Sequence, residues 1–182
     1  MEYWNDILTE RSWNILKELN KKIKFILIGG WAVYLLTKSN KSKDIDIIID
    51  FNVLDQLKME YTLKKNIHLN RYEIVLDEID IDIYVPYYSK LTIPIKDIKN
   101  HTIKVEGFNV IKSEALLILK QGAETDRGDT EKGQKDKIDI LTLLLNSNFN
   151  FKEYKKLLKK YKLEHFLKRL INIINSFKDI KY

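Results

Sequence analysis

The chain has 182 residues, enough for one domain with a sizeable core, and its 45% hydrophobic and 32% charged residues are those of an ordinary globular protein. It has no cysteine, which excludes disulfides and thiolate metal sites. No apolar run approaches the roughly 18 residues of a membrane span, and MEYWNDILTE lacks a signal-peptide pattern, so a cytoplasmic protein without a membrane partner is expected. Lysine and arginine outnumber aspartate and glutamate by 32 to 26; the net charge of +6 suits an anionic partner such as nucleotide or RNA, and a lysine-rich background alone gives the same balance.

In chain order, Asn5 to Lys22 has helical spacing, with Ile7, Leu8, Trp13, Leu16 and Leu19 on one stripe and Asn5 as its cap. Phe25 to Ile28 is too short for a helix and reads as a strand that stops at Gly29-Gly30, and Trp31 to Thr37 resumes as helix. After the polar KSNKSK, Asp44 to Ile49 is a strand and Val53 to Lys65 a helix. RYEIVL and IDIDIYV form a hairpin through Asp77-Glu78, and HTIKVEGFNVI a second one turning near Gly107. From Ser113 the pattern is helical to Ala123 or Arg127; a second helix runs from Lys135 to Leu145, and the lysine-rich tail from Lys152 to Phe177 makes two more. The stretch GDTEKGQKDK, from Gly128 to Lys137, reads as a mobile loop able to close over a ligand. The whole is an α+β fold, with a core over residues 1–112 and a helical region over 113–182.

Two strands carry carboxylates where a buried strand normally excludes them. Residues two apart on a strand point the same way, so Asp44 and Asp46 share a face opposite Ile45, Ile47 and Ile49. Asp80 and Asp82 repeat the arrangement opposite Ile79, Ile81 and Ile83. Paired side by side, the two strands crowd carboxylates whose like charges raise one another's pKa. A divalent cation resolves that conflict, and an oxygen-only donor set favours Mg²⁺ or Mn²⁺ over zinc. One such strand alone is more simply a half-solvated strand with a polar outer face; two in a small domain, preceded by a glycine pair, are not. A strand ending at Gly-Gly before a helix leaves bare backbone N–H groups at the helix N-terminus, a place suited to phosphate.

Gly29-Gly30, a spacer of 13 residues, and then Asp44-Ile45-Asp46 within a strand form a specific constellation. IGGWAVYLL with KDIDIII resembles the signature of the nucleotidyltransferase superfamily of DNA polymerase β type, and within it small bacterial and archaeal members that include AbiEii-like toxins. LILKQGAETDRGDTEKGQKDKIDILTLL adds Lys120, Ala123, Arg127, Lys135, Asp136 and Asp139 in the order of that group's later motif. The resemblance implies a mixed sheet flanked by helices, with Asp44 and Asp46 as metal ligands. It implies a third carboxylate that takes the proton of the attacking hydroxyl, for which Asp82 is favoured and Asp80 is the alternative. Gly29 and Gly30 would hold triphosphate, and Lys120, Arg127 and Lys135 would meet phosphates. Lys120 and Arg127 lie seven apart and can face one ligand, as they can face solvent; Lys135 and Asp139, four apart, also fit a simple helix ion pair.

The expected activity is transfer of a nucleoside monophosphate from an NTP to a hydroxyl of tRNA, protein or a small molecule. A toxin role, with an antitoxin partner, is part of what the resemblance implies. The competing readings are a non-catalytic nucleotide- or partner-binding module on the same fold, and after it a metal-dependent nuclease. His68, His101 and His165 have no metal spacing and read as ordinary residues; Trp4, Trp13 and Trp31 read as packing residues rather than base-stacking platforms. The basic tail reads first as docked helices with a solvated face.

Overall fold

The computed structural model describes residues 2–178, and the side chains of 6–177. Eight helices and seven strands alternate in the described residues: α1 (Glu2–Lys22), β1 (Ile26–Ile28), α2 (Gly29–Thr37), β2 (Ile45–Ile48), α3 (Val53–Glu60), β3 (Lys64–Asn66), β4 (Arg71–Leu76), β5 (Ile79–Tyr84), α4 (Ile95–Ile98), β6 (Thr102–Val105), β7 (Phe108–Ile111), α5 (Ser113–Arg127), α6 (Glu131–Asn146), α7 (Phe151–Tyr161) and α8 (His165–Lys178). The strands form one mixed sheet in the order β3-β4-β5-β2-β1-β7-β6. β2 runs parallel to β5 and β1 parallel to β7; the other neighbours are antiparallel.

The alternation in the strand sequences sets the two faces of this sheet. Leu27, Ile47 and Ile83 are laterally in register across β1, β2 and β5 and are fully buried. The opposite face carries Ile28, Asp46 and Asp82, also in lateral register. α5 covers this second face: Leu116, Leu119 and Lys120 border the same cavity as Ile28, Asp46 and Tyr84. One apolar cluster runs from Leu16 to Ile173, so the C-terminal helices and the sheet share a core. Tyr154, Leu157, Phe166 and Leu170 dock α7 and α8 by their apolar stripe while the lysines between them face out. Tyr154 donates to Gln121 Oε1 at 2.6 Å, and Arg169 pairs with Glu124, which ties both helices to α5.

The aromatic residues near the N-terminus are core, as their helical spacing suggests. Trp13 packs on Trp31 and Phe108 at 5.0 and 5.3 Å between ring centres, and Trp31 Nε1 donates to the buried Ser12 hydroxyl. The Trp4 side chain lies outside the described residues. Asn5 sits inside α1 rather than capping it, because the helix starts at Glu2, and Ile7 is exposed at the edge of the stripe. The helix expected to reach Lys65 stops at Glu60, and Lys64–Asn66 pairs as an edge strand with β4.

A larger correction concerns residues 128–137. The expected mobile loop is three residues long, because α6 begins at Glu131. Thr130 caps it by accepting the Gly133 N–H at 3.2 Å. Gly133 is a packing residue: a Cβ there would lie 2.0 Å from the Gly128 carbonyl oxygen. A long loop closing over ligand is therefore not available in this arrangement.

Candidate active site

β1 delivers the chain to the N-terminus of α2, whose first two residues are Gly29 and Gly30. Ile28 in the cap position has no side-chain acceptor, so the first N–H groups are left for another partner. Both glycines are required by close approach. Gly29 has φ +67°, and a Cβ on it would lie 2.0 Å from Asp46 Oδ2; one on Gly30 would lie 2.6 Å from Ser42 Oγ. The glycine pair is thus pressed against β2 and the turn before it, and the carboxylates sit beside the helix start.

On β2 and β5, Asp46 and Asp82 are direct lateral partners on parallel strands. Two residues earlier on each chain segment, Asp44 Oδ1 accepts the Asp80 backbone N–H at 3.4 Å, and Lys43 Nζ is 3.8 Å from the same oxygen. All four aspartates line a cavity of about 350 Å³ whose wall includes Gly30 and Ser42. Lys120, Arg127, Lys132, Lys135 and Asp136 close it from α5 and α6. Gly29 borders an adjoining, smaller cavity together with Asp46, Lys120 and Arg127. The structure therefore gathers every residue singled out by sequence around two adjoining cavities, except Asp139, which lies behind the wall and binds Lys120.

The charges on the two walls are handled differently. Lys120 Nζ lies 3.1 Å from Asp136 Oδ1 and 2.6 Å from Asp139 Oδ2, and Arg127 lies 2.7 Å from Asp136 Oδ2. Burial alone would lower the Lys120 pKa, but Asp139 and Asp136 outweigh it and raise it. Asp139 consequently pairs across helices with Lys120, and the i,i+4 pair with Lys135 does not form; Lys135 is exposed on the cavity rim. On the sheet wall, burial pushes Asp46 up, opposed by Lys120 and Arg71. Burial and then the neighbouring Asp46 push Asp82 up to about 7 against the pull of Arg71. Asp82 is 9% exposed, and its Oδ1 has no hydrogen-bond partner among the described residues.

Arg71 on β4 was not singled out by sequence, yet it is the counter-charge of Asp82. Its guanidinium lies 2.6 Å from Asp82 Oδ2, donates to Glu73 Oε1 at 2.8 Å, and reaches the Tyr84 hydroxyl at 3.4 Å. A signal was present: a two-residue turn at Asp77-Glu78 puts Glu73 opposite Asp82, and Arg71, two residues on, shares that face.

No protein-family model matches the chain, and no curated protein matches it in sequence. Its structure is similar to that of the Megavirus polyadenylate synthase, with 19% identity and a TM-score of 0.51 over 79% of this chain. The chain spans only 32% of that protein's length. It is also similar to ANT(2")-Ia in complex with adenylyl-2"-tobramycin, with 11% identity and a TM-score of 0.58, covering 86% of this chain and 98% of that one. The fold is a nucleotidyltransferase-type fold. Among the described residues no helix is long and apolar enough to cross a membrane.

The resemblance read from the sequence implies a divalent cation at these carboxylates. Among the described residues no three carboxylates or histidines are gathered closely enough to hold one in the present arrangement. The donor chemistry nevertheless fits a hard ion: all ligands are carboxylate oxygens, and the buried Asp82 oxygen beside Asp46 is unpaired.

Proposed function

We propose that the chain is a metal-dependent nucleotidyltransferase that moves a nucleoside monophosphate from an NTP to a hydroxyl acceptor. The observation that carries this reading is the lateral pairing of Asp46 with Asp82, one buried carboxylate oxygen left unpaired, beside a helix that opens on two glycines. Asp44, Asp46 and Asp82 would hold Mg²⁺ or Mn²⁺, with Asp80 the alternative to Asp82. When bound there, the ion supplies charge neutralisation to the reacting phosphate and the departing pyrophosphate.

The chain's own groups do the rest. Backbone N–H groups of Gly29 and Gly30 receive phosphate oxygens at the start of α2. Asp82 accepts the proton of the acceptor hydroxyl as that oxygen bonds to the α-phosphorus; the bond from the α-phosphorus to the bridging oxygen breaks, and pyrophosphate leaves. Lys132 and Lys135, exposed on the rim, meet the outer phosphates, while Lys120 and Arg127 are held in place by Asp136.

The acceptor is a hydroxyl of tRNA, of a protein or of a small molecule. ANT(2")-Ia bound to adenylyl-2"-tobramycin keeps a small molecule among the candidates, and the charge of +6 supports an RNA. The AbiEii-like toxin role extends the same proposal: expression would arrest growth, Asp46→Asn would not, and a partner antitoxin would relieve the arrest. The primary test is incubation with each α-labelled NTP, Mg²⁺ and total cell extract. Label transferred by the wild type and not by Asp46→Asn is the expected result. Nucleotide binding without any transfer would instead make the chain a non-catalytic nucleotide-binding module.

A further inference from the structure

Arg71 stands where its charge competes with the ion that the proposed function requires. It reaches from β4 to the Asp82 carboxylate at 2.6 Å and is itself steadied by Glu73 at 2.8 Å and the Tyr84 hydroxyl at 3.4 Å. Its side chain is 18% exposed, and its open side faces the cavity that also contains Asp44, Asp46 and Asp80. The pairing is one-sided. Asp82 Oδ2 has the guanidinium, while Oδ1, buried beside Asp46, has no hydrogen-bond partner among the described residues. Arg71 thus satisfies one oxygen of Asp82, while the neighbouring, half-buried Asp46 is offset first by Lys120 and then by Arg71.

We propose that Arg71 is a positioning residue that holds Asp82 in the cation-free site and must yield it for a divalent cation to bind. This rests on the nucleotidyltransferase reading and deepens it. The guanidinium and a cation cannot both lie against the Asp82 carboxylate without like-charge repulsion in a buried site. The arrangement therefore has two states. In one, Arg71 bridges Asp82 and Glu73; in the other, Asp82 is free for the ion and Arg71 keeps Glu73 while its open side turns to the cavity. A triphosphate entering the cavity supplies the negative charge that favours the second state. Cation alone binds weakly and cation with nucleotide binds well, so the site resists idle loading.

The weakening is set by the fraction of molecules in which Asp82 is free. If Arg71 holds Asp82 in all but about a tenth of them, removing the guanidinium tightens cation binding by about tenfold. The experiment is Mn²⁺ binding to the purified full chain without nucleotide, read from the loss of the free-ion signal in electron paramagnetic resonance. Wild type, Arg71→Met, Arg71→Lys, Asp46→Asn and Asp82→Asn are compared, with melting temperatures across the same Mn²⁺ series. Arg71→Met is expected to bind Mn²⁺ about tenfold more tightly than wild type, and Arg71→Lys to fall between them. Without cation, Arg71→Met should melt below wild type, and that deficit should close as Mn²⁺ rises; an arginine with a merely structural role would leave a deficit that Mn²⁺ does not change.

If Arg71→Met binds no tighter than wild type while Asp46→Asn and Asp82→Asn lose the ion, the inference about Arg71 fails and the site stands. If the two aspartate variants bind Mn²⁺ like wild type, or none of the proteins binds it, the carboxylate site itself fails and takes this inference with it. Should Arg71→Met not fold, Arg71→Lys decides by the same comparison.

Discussion

Both walls of the cavity bury carboxylates, and they balance them differently. On the helical wall, Lys120, Arg127, Asp136 and Asp139 close a network in which every charge has an opposite partner within about 3 Å. On the sheet wall, Asp46 and Asp82 sit side by side, Arg71 pairs with Asp82 alone, and the other Asp82 oxygen is left without a partner among the described residues. The helical wall balances its charges internally, although the buried Asp139 Oδ2 meets Lys120 only as an ion pair and has no hydrogen-bond partner among the described residues. On the proposed function the sheet wall takes its missing positive charge from a bound ligand, whereas the helical wall carries its own.

Substitution should separate the walls most strongly through activity. Asp46→Asn and Asp82→Asn are expected to lower transfer by about 10³-fold or more, since each removes a group that acts on the reacting phosphate. The same variants should melt at or above the wild-type temperature when no Mg²⁺ is present, because each relieves like-charge repulsion. Loss of activity with a lower melting temperature would mean that the sheet wall is structural after all. Asp80→Ala, checked in the same assay, should only impair transfer; the reverse ranking of Asp80 and Asp82 would move the third carboxylate by one strand repeat.

On the helical wall the effect should appear in stability. Asp136→Ala leaves Lys120 and Arg127 without their shared partner, and the Lys120 side chain is 12% exposed. Breaking a buried pair from one side costs about 3–5 kcal/mol; because Lys120 keeps Asp139 at 2.6 Å and Arg127 is exposed, the expected loss falls below that range, at about 1–2 kcal/mol, measured by denaturant unfolding. Unchanged stability would show that the network is no more than a surface ion pair.

How much of this was legible in the sequence differs from element to element. The carboxylate strands were readable because Asp-Ile alternation fixes a face at once, and the hairpin because Asp77, with φ +55°, opens a two-residue turn. Arg71 required one further step, from the turn to the cross-strand register. The start of α6 was hidden because Gly133 and the run of charges look like a loop, whereas Gly133 is needed to let the helix sit on the Gly128 carbonyl. Lys135 and Asp139 satisfied a local helix rule, but the i,i+3 pair Asp136 and Asp139 turns toward α5, and Lys120 takes the partner. Lys64–Asn66 has no strand pattern of its own and is a strand only because β4 offers an edge.

Acidity gives a third contrast. In the folded, cation-free chain Asp82 is pushed up to about 7, from an ordinary value near 4 in the unfolded chain. Between these values the folded chain holds a proton that the unfolded chain has released, so stability falls as pH rises from about 4 to about 7. Asp46, also pushed up, acts with the same sign. His101, pushed down by burial, acts with the opposite sign, because its neutral form is favoured in the fold. The difference between wild type and Asp82→Asn cancels His101: relative to the variant, wild type should lose stability across this window. Saturating Mg²⁺ should remove the difference by favouring the ionised carboxylate. A flat difference curve would mean that Arg71 already compensates Asp82 in full.

The smallest expected effect belongs to the cavity rim. Lys132 and Lys135 are exposed, three apart on α6, and line the cavity that holds the carboxylates. Exposed charges contribute little to folding, so Lys132→Ala and Lys135→Ala should shift stability by less than about 0.5 kcal/mol. If the rim meets phosphate, each should weaken Mg-NTP binding by about 1 kcal/mol through loss of a charge-assisted contact, and the loss should shrink as salt is raised. Because α6 is helical from Glu131, these lysines are carried on a rigid element. The effect should therefore be in affinity and not in a closing step, so the rate at saturating nucleotide should stay at the wild-type value. Titration of Mg-NTP at low and high salt, with melting curves on the same samples, checks both halves. If both variants bind nucleotide like wild type at low salt, the rim is a solvated helix face, and recognition of the phosphates rests on the backbone of Gly29 and Gly30 and on the sheet wall alone.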